Sequence, residues 1–154
     1  MTKEHRSPVE LEEIVNPVAV PSPEQLEHSF RLAKAAARAA AENKGQDIVM
    51  IDVSKQTSIF DCFLIVTGTS RRQLHAISDE IDRALEGLGE RRISTSGYDE
   101  SRWIVLDYGG LLVHLFDDET RAFYDLEGLW ADSPRVDLSD ALRNTGAAIV
   151  RTDG

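Results

Sequence analysis

Three things are scarce in this 154-residue chain: cysteine, long apolar runs and positive charge. The lone Cys62 excludes an internal disulfide, and its place inside an apolar run marks a buried thiol rather than a reactive one. No apolar stretch approaches the ~20 residues that span a bilayer, and the opening Met-Thr-Lys-Glu-His-Arg-Ser-Pro8 carries no apolar signal core. Neither a membrane nor secretion is therefore expected, which places the chain in the cytoplasm. Lys and Arg total 17 against 27 Asp and Glu, a formal charge of -10. Nucleic-acid binders concentrate positive charge, so direct sequence-specific binding of nucleic acid is not expected; a basic protein partner fits the balance, although acidity also serves solubility alone. Internal repeats are absent too, and the length suits one domain with a core that needs no disulfide or structural metal.

The strongest local signal is Trp103-Ile-Val-Leu-Asp-Tyr-Gly-Gly-Leu-Leu-Val-His-Leu-Phe116, two apolar strands separated by Gly109-Gly110. Both glycines tolerate positive φ, as a two-residue hairpin turn requires. Neither face of the hairpin is cleanly polar, which predicts a sheet covered on both sides by helices.

Residues 1 to 21, punctuated by Pro8, Pro17 and Pro21, read as a flexible N-terminal extension whose apolar patch Leu11 to Val15 could fold against a partner. The α/β domain follows over 22–132. Ser22-Pro-Glu-Gln25 opens a helix with a capping hydroxyl, proline at the first turn and glutamine at the capping-box position. Its alanine-rich body presents Leu26, Phe30, Ala33, Ala37 and Ala40 on one face and stops at Gly45, while Arg31, Lys34 and Arg38 read as a solvated face. Ile48 to Val53 is a first strand and Cys62 to Thr67 a second. Ser70-Arg-Arg-Gln73 opens another helix, with Leu74, Ile77, Ile81, Leu85 and Leu88 at helical spacing up to Gly89. A crossover of this kind predicts that the strand at Trp103 runs parallel to the one before the helix, and the hairpin then makes the sheet mixed. Asp117 or Asp118 caps a last helix carrying Phe123, Leu126, Leu129 and Trp130 as core packing. Residues 133–154 read as a C-terminal tail with at most a short helix at Asp140 to Arg143.

Candidate chemistry is sparse. Gly68-Thr-Ser70 lies where a strand feeds a helix, a position suited to phosphate, but it is neither a Walker loop nor a dinucleotide fingerprint. Asp52, Asp61, Asp107, Asp117 and Asp118 are the carboxylates from which a magnesium site would be drawn. His114 lacks an accompanying nucleophile and reads as a structural histidine. No catalytic residue, metal or cofactor is assigned. Residues 98 to 132 hold nine acidic and two basic residues, interleaved with Tyr98, Trp103, Phe116, Tyr124 and Trp130. An aromatic anchor within an acidic rim is suited to a basic, partly apolar protein surface.

The ordered set Asp47-Ile-Val-Met-Ile-Asp52, Asp61-Cys-Phe-Leu-Ile-Val-Thr-Gly-Thr-Ser70, the hairpin Trp103 to Phe116, and Arg121-Ala-Phe-Tyr-Asp-Leu-Glu-Gly-Leu-Trp130 resembles the ribosomal silencing factor, or Iojap-like, family from about residue 24 to residue 131. The resemblance implies an α/β fold similar to nucleotidyltransferases, commonly homodimeric and used for binding rather than catalysis. It implies a translational repressor, active in nutrient limitation or stationary phase, that binds the large ribosomal subunit through its L-fourteen protein and sterically blocks joining of the small subunit. Trp103 and Ile104 are the contact candidates it points to, with Asp107 supporting recognition of the basic partner. Ser96 stands before Gly97 where the family pattern carries Glu. Two other readings stay open: a nucleotidyltransferase-like enzyme built on the Gly68 turn, and a dimeric interaction module with a non-ribosomal partner.

Overall fold

The computed structural model describes residues 20–147. The elements, in chain order, are α1 (Pro23–Glu42), β1 (Gln46–Asp52), β2 (Cys62–Thr67), α2 (Arg71–Glu86), β3 (Ser94–Ser96), β4 (Trp103–Asp107), β5 (Leu111–Phe116), α3 (Asp118–Tyr124), α4 (Leu126–Leu129) and β6 (Arg135–Val136). The strands form one mixed sheet in the order β3-β4-β5-β2-β1-β6, with β2 and β5 parallel and the other neighbours antiparallel. The predicted lead-in over residues 1–21 lies outside the described residues except for its last two positions.

Alternation sorts the strand residues onto two faces. Ile48 and Met50, Cys62, Leu64 and Val66, Ile104 and Leu106, and Leu111, Val113 and Leu115 point one way and pack under α1 and α2 in the larger core. Helix α1 is capped by Ser22, whose Oγ accepts the Gln25 N–H, and buries Leu32, Ala33, Ala36, Ala37 and Ala40 against the sheet. Its alanines favour helix at little side-chain entropy cost and let the backbone approach the strands closely. Leu26 and Phe30, expected on the buried face, are only half-buried, and Leu32 takes the central place. Helix α2 buries Leu74, Ile77, Ile81 and Leu85 as its spacing predicts, but ends at Gly87, so Leu88 falls beyond it and is exposed.

Both long helices thus share one face. Val49, Ile51, Phe63, Ile65 and Phe116 form a second, smaller core on the other, closed by Leu126 of α4 and by half-buried Phe60, Leu112, Trp103 and Trp130. Helices flank the sheet on both sides, but unequally, and the second face is open along β4.

The crossover expectation is corrected. Strand β4 runs antiparallel to β5, and hence to β2, so it is not the parallel strand that follows the helix. After α2 the chain first lays down the edge strand β3, which pairs antiparallel with β4 and has the direction the crossover demands. Its sequence, Ser-Thr-Ser, offers no apolar alternation, because an edge strand of three residues needs none. The last helix is corrected as well: Asp125 adopts φ 47° and its carboxylate accepts the Gly128 N–H, which splits the helix into α3 and α4. Phe123 and Leu129 consequently face solvent instead of the core. Within the stretch read as a tail, Arg135-Val136 pair with Met50 and Ile51, and Leu138 and Leu142 join the larger core. Arg38 holds this segment by donating to the Ala141 and Arg143 carbonyls.

The hairpin forms as predicted, with Tyr108 N–H donating to the Leu111 carbonyl across Gly109-Gly110. Only Gly109 has positive φ, at 92°. Gly110 is required for a different reason: a Cβ there would lie 2.2 Å from Ser29 Oγ and 2.6 Å from Asp61 Oδ2. Ser29 donates to Asp61 at 2.7 Å in a buried bond, so these atoms have little room to withdraw. Gly110→Ala is expected to lower unfolding stability by about 1–3 kcal/mol, read as a shift in denaturant midpoint with unchanged slope.

Candidate partner-binding face

The open face centres on a groove of about 490 Å³ at the start of β4. Trp103 lines it. Gly97, Glu100 and Arg102 of the β3–β4 loop contribute one wall, and Glu119, Thr120, Phe123 and Tyr124 of α3 the other. Aromatic packing fixes the Trp103 ring, which stacks on Phe116 at 4.8 Å between centroids and lies 4.9 Å from Tyr124. Its Nε1–H donates to His114 Nδ1 at 3.1 Å. The indole is therefore already oriented, with its polar edge turned inward and apolar surface left to the groove.

Helix α3 is held in register by two devices. Asp117 caps it by accepting the Thr120 N–H at 2.7 Å. Arg121, nearly buried, donates to the Asp47 carbonyl and to Thr67 Oγ1, each at 2.7 Å, and makes a two-pronged pair with Glu127. Burial opposes the Glu127 charge, but the bonds from Arg121 outweigh it and hold the carboxyl below its ordinary range. The exposed aromatics Phe123 and Tyr124 thus stand on a segment clamped to the sheet.

The contact candidates separate by strand alternation. Trp103 and Asp107 lie on the open face, one at each end of β4, Asp107 accepting the Gly109 N–H at 2.8 Å. Ile104 is fully buried under the helices, so its side chain cannot touch a partner in this fold. Neighbours along a strand point to opposite faces, so of the two only Trp103 presents its side chain to the open face. Phe123 and Glu119, by contrast, join the groove; the sequence marks Phe123 only as part of a helical apolar stripe and Glu119 only as one of the acidic residues of 98–132.

The chemical candidates disperse. Asp52, Asp61 and Asp107 sit at one end of the sheet and Asp117 and Asp118 at the other. Among the described residues no group of three or more His, Cys, Asp or Glu could hold a metal ion. At the Gly68 turn, Gln73 Oε1 accepts both the Thr69 N–H and the Thr69 hydroxyl, while Ser70 Oγ accepts the Gln73 N–H. Those groups cap the helix instead of facing a ligand. Gly68 serves close packing, since a Cβ would meet Leu74 at 2.6 Å. Burial pushes the Cys62 thiol up, away from reactivity. No helix among the described residues is long and apolar enough to cross a membrane.

The chain is thus an α/β protein with a mixed sheet, whose more open face presents an ordered aromatic surface flanked by Glu100, Arg102 and Glu119. The model of the family described as "Ribosomal silencing factor during starvation" matches residues 26–153. A Bacillus subtilis relative, "Ribosomal silencing factor RsfS", is 36% identical over 107 residues, covering 70% of this chain and 91% of its own length. A solved structure from Chromobacterium violaceum superposes with a TM-score of 0.65 at 32% identity, covering 67% of this chain and 86% of that one. Another, from Bacillus halodurans, gives 0.63 at 32% identity, with 71% and 99% covered. The chain belongs to the ribosomal silencing factor family.

His114 supplies a pH signature for this face. Burial lowers its pKa from an ordinary 6.5 to about 4, so the folded protein keeps the ring neutral where the unfolded chain protonates it. Its stabilising contribution is complete above 6.5 and is lost as pH falls toward 4, by up to about 3 kcal/mol. Melting temperature measured across this window should fall more steeply in the parent than in His114→Phe. Ile104→Ala should cost about 2–5 kcal/mol of stability as a core truncation, measured by denaturant unfolding.

Proposed function

We propose that the open face centred on Trp103 is the surface by which this chain, a translational repressor that binds the large ribosomal subunit, keeps the small subunit away. The carrying observation is the groove itself: a preoriented Trp103 flanked by exposed Phe123 and Tyr124, with Glu100 and Glu119 outnumbering Arg102 among the charged groups of the same cleft. Ribosomal surfaces present basic proteins on an RNA scaffold, so acidic groups steer encounter while the aromatic anchor, once desolvated, supplies residence. The L-fourteen protein of the large subunit is the partner in this reading.

The mechanism is exclusion: two macromolecules cannot occupy one surface, and no bond is cut. Repression then scales with the occupied fraction of large subunits. A Kd near 1 μM corresponds to about -8 kcal/mol, enough to compete when the factor's concentration exceeds that value. A cytoplasmic location, a homodimeric state and a nucleotidyltransferase-like arrangement used for display belong to the same reading. The enzyme alternative lacks support at the Gly68 turn, where the Thr69 and Gln73 N–H groups are taken up in capping the helix.

Sedimentation with isolated subunits at near-physiological salt tests this directly. Selective comigration with the large subunit is expected, and Trp103→Ala should weaken it by about 2 kcal/mol, roughly thirtyfold in Kd, while remaining folded. Equal binding of parent and folded variant would remove Trp103 as the anchor. Glu100→Lys with Glu119→Lys should mainly slow association and flatten its salt dependence, followed by stopped-flow mixing.

A further inference from the structure

We infer that His75 is a positioning residue for the groove, pinning the β3–β4 loop that forms one of its walls. This rests on the reading of the groove as the ribosome-facing surface. His75 lies on α2, in the helix layer, yet its Nε2 is 2.7 Å from the Tyr98 carbonyl and 2.7 Å from Ser101 Oγ. A carbonyl oxygen carries no proton, so the ring must hold its hydrogen on Nε2 and donate it there. The Ser101 hydroxyl donates to the same carbonyl at 2.8 Å, closing a three-membered polar knot inside the loop.

The imidazole also stacks on the Tyr98 ring, 3.9 Å between centroids and 5° from parallel. One helical turn further on, Asp79 accepts from the Tyr98 hydroxyl. The loop is thereby laid along the His75–Asp79 face of α2.

What the knot fixes is the entry to β4. Gly97 has φ 76°, and a Cβ on it would fall 2.1 Å from the Trp103 carbonyl, so the loop presses directly on the Trp103 backbone. Ser101 is turned to φ 60° and donates its N–H to the Gly97 carbonyl, tightening the loop between them. From the loop's far end the Arg102 carbonyl accepts the Asp117 N–H, the residue that caps α3. One side chain on the helix layer therefore holds a loop whose two ends bear on the floor and the opposite wall of the groove. Glu100 and Arg102, the charged loop residues that line the groove, take their places from it.

His75→Ala should accelerate amide hydrogen exchange at residues 97–102 and raise Kd for isolated large subunits about tenfold, with the core exchange pattern retained. His75→Gln, whose amide nitrogen reaches the position of Nε2, should restore slow exchange and most of the affinity. Ser101→Ala leaves α2 untouched and should give both changes to a smaller extent, so it carries the test if His75→Ala does not fold. Parental loop exchange in the folded alanine variants overturns the inference, as does failure of His75→Gln to restore it. Faster exchange with parental Kd also overturns it while the groove reading stands, provided Trp103→Ala binds weakly. Parental Kd in Trp103→Ala removes the groove reading, and this inference with it.

Discussion

Two long helices pack on the same face of one sheet, and the rest of the structure follows from that asymmetry. Strand alternation sends Ile104, Leu106, Leu111, Val113 and Leu115 under α1 and α2, where the larger core forms. The alternate residues, Val105, Asp107, Leu112 and His114, then lie on a face without a full helical cover. Phe63, Phe116 and Trp130 fill part of that second face by edge-on and stacked aromatic contacts. Along β4 the cover ends and Trp103 is left only partly buried, packed against its neighbours with some of its surface open. A large aromatic in that condition gains from a partner what the fold has not supplied.

The hairpin, the two long helices and the mixed sheet were legible in the sequence, because their signals are local: Gly109-Gly110 at the turn, Ser22 and Ser70 at the caps, and helical spacing from Leu74 to Leu85. Strands β3 and β6 were not, since edge strands of three and two residues need no apolar pattern. The direction of β4 was missed for a related reason: without β3, the crossover from α2 had no other strand on which to end. The resemblance pairs Trp103 with Ile104 as contacts, whereas strand alternation puts the Trp103 side chain on the open face and the Ile104 side chain in the core. The outward turn of Phe123 depends on Asp125 adopting a left-handed backbone, and the loop's attachment to His75 joins residues more than twenty positions apart. Neither has a local signature.

Charge and packing divide the work at this face. The chain carries a net -10, and Glu100 and Glu119, partly offset by Arg102, lie where the aromatics are exposed. Exposed charges attract a basic surface at distances up to a Debye length, about 8 Å at physiological salt, but contribute little once in contact. On the proposed reading, residence comes instead from desolvating Trp103 and Phe123, so that charge sets arrival and aromatic contact sets how long the factor stays.

The central claim is mutual exclusion on the large subunit, and the most direct measurement is subunit joining followed by light scattering while this protein is titrated onto large subunits. Joining should fall in proportion to occupancy, and excess small subunits should displace the factor. Full joining at saturating factor, with both partners comigrating on one large subunit, would contradict it.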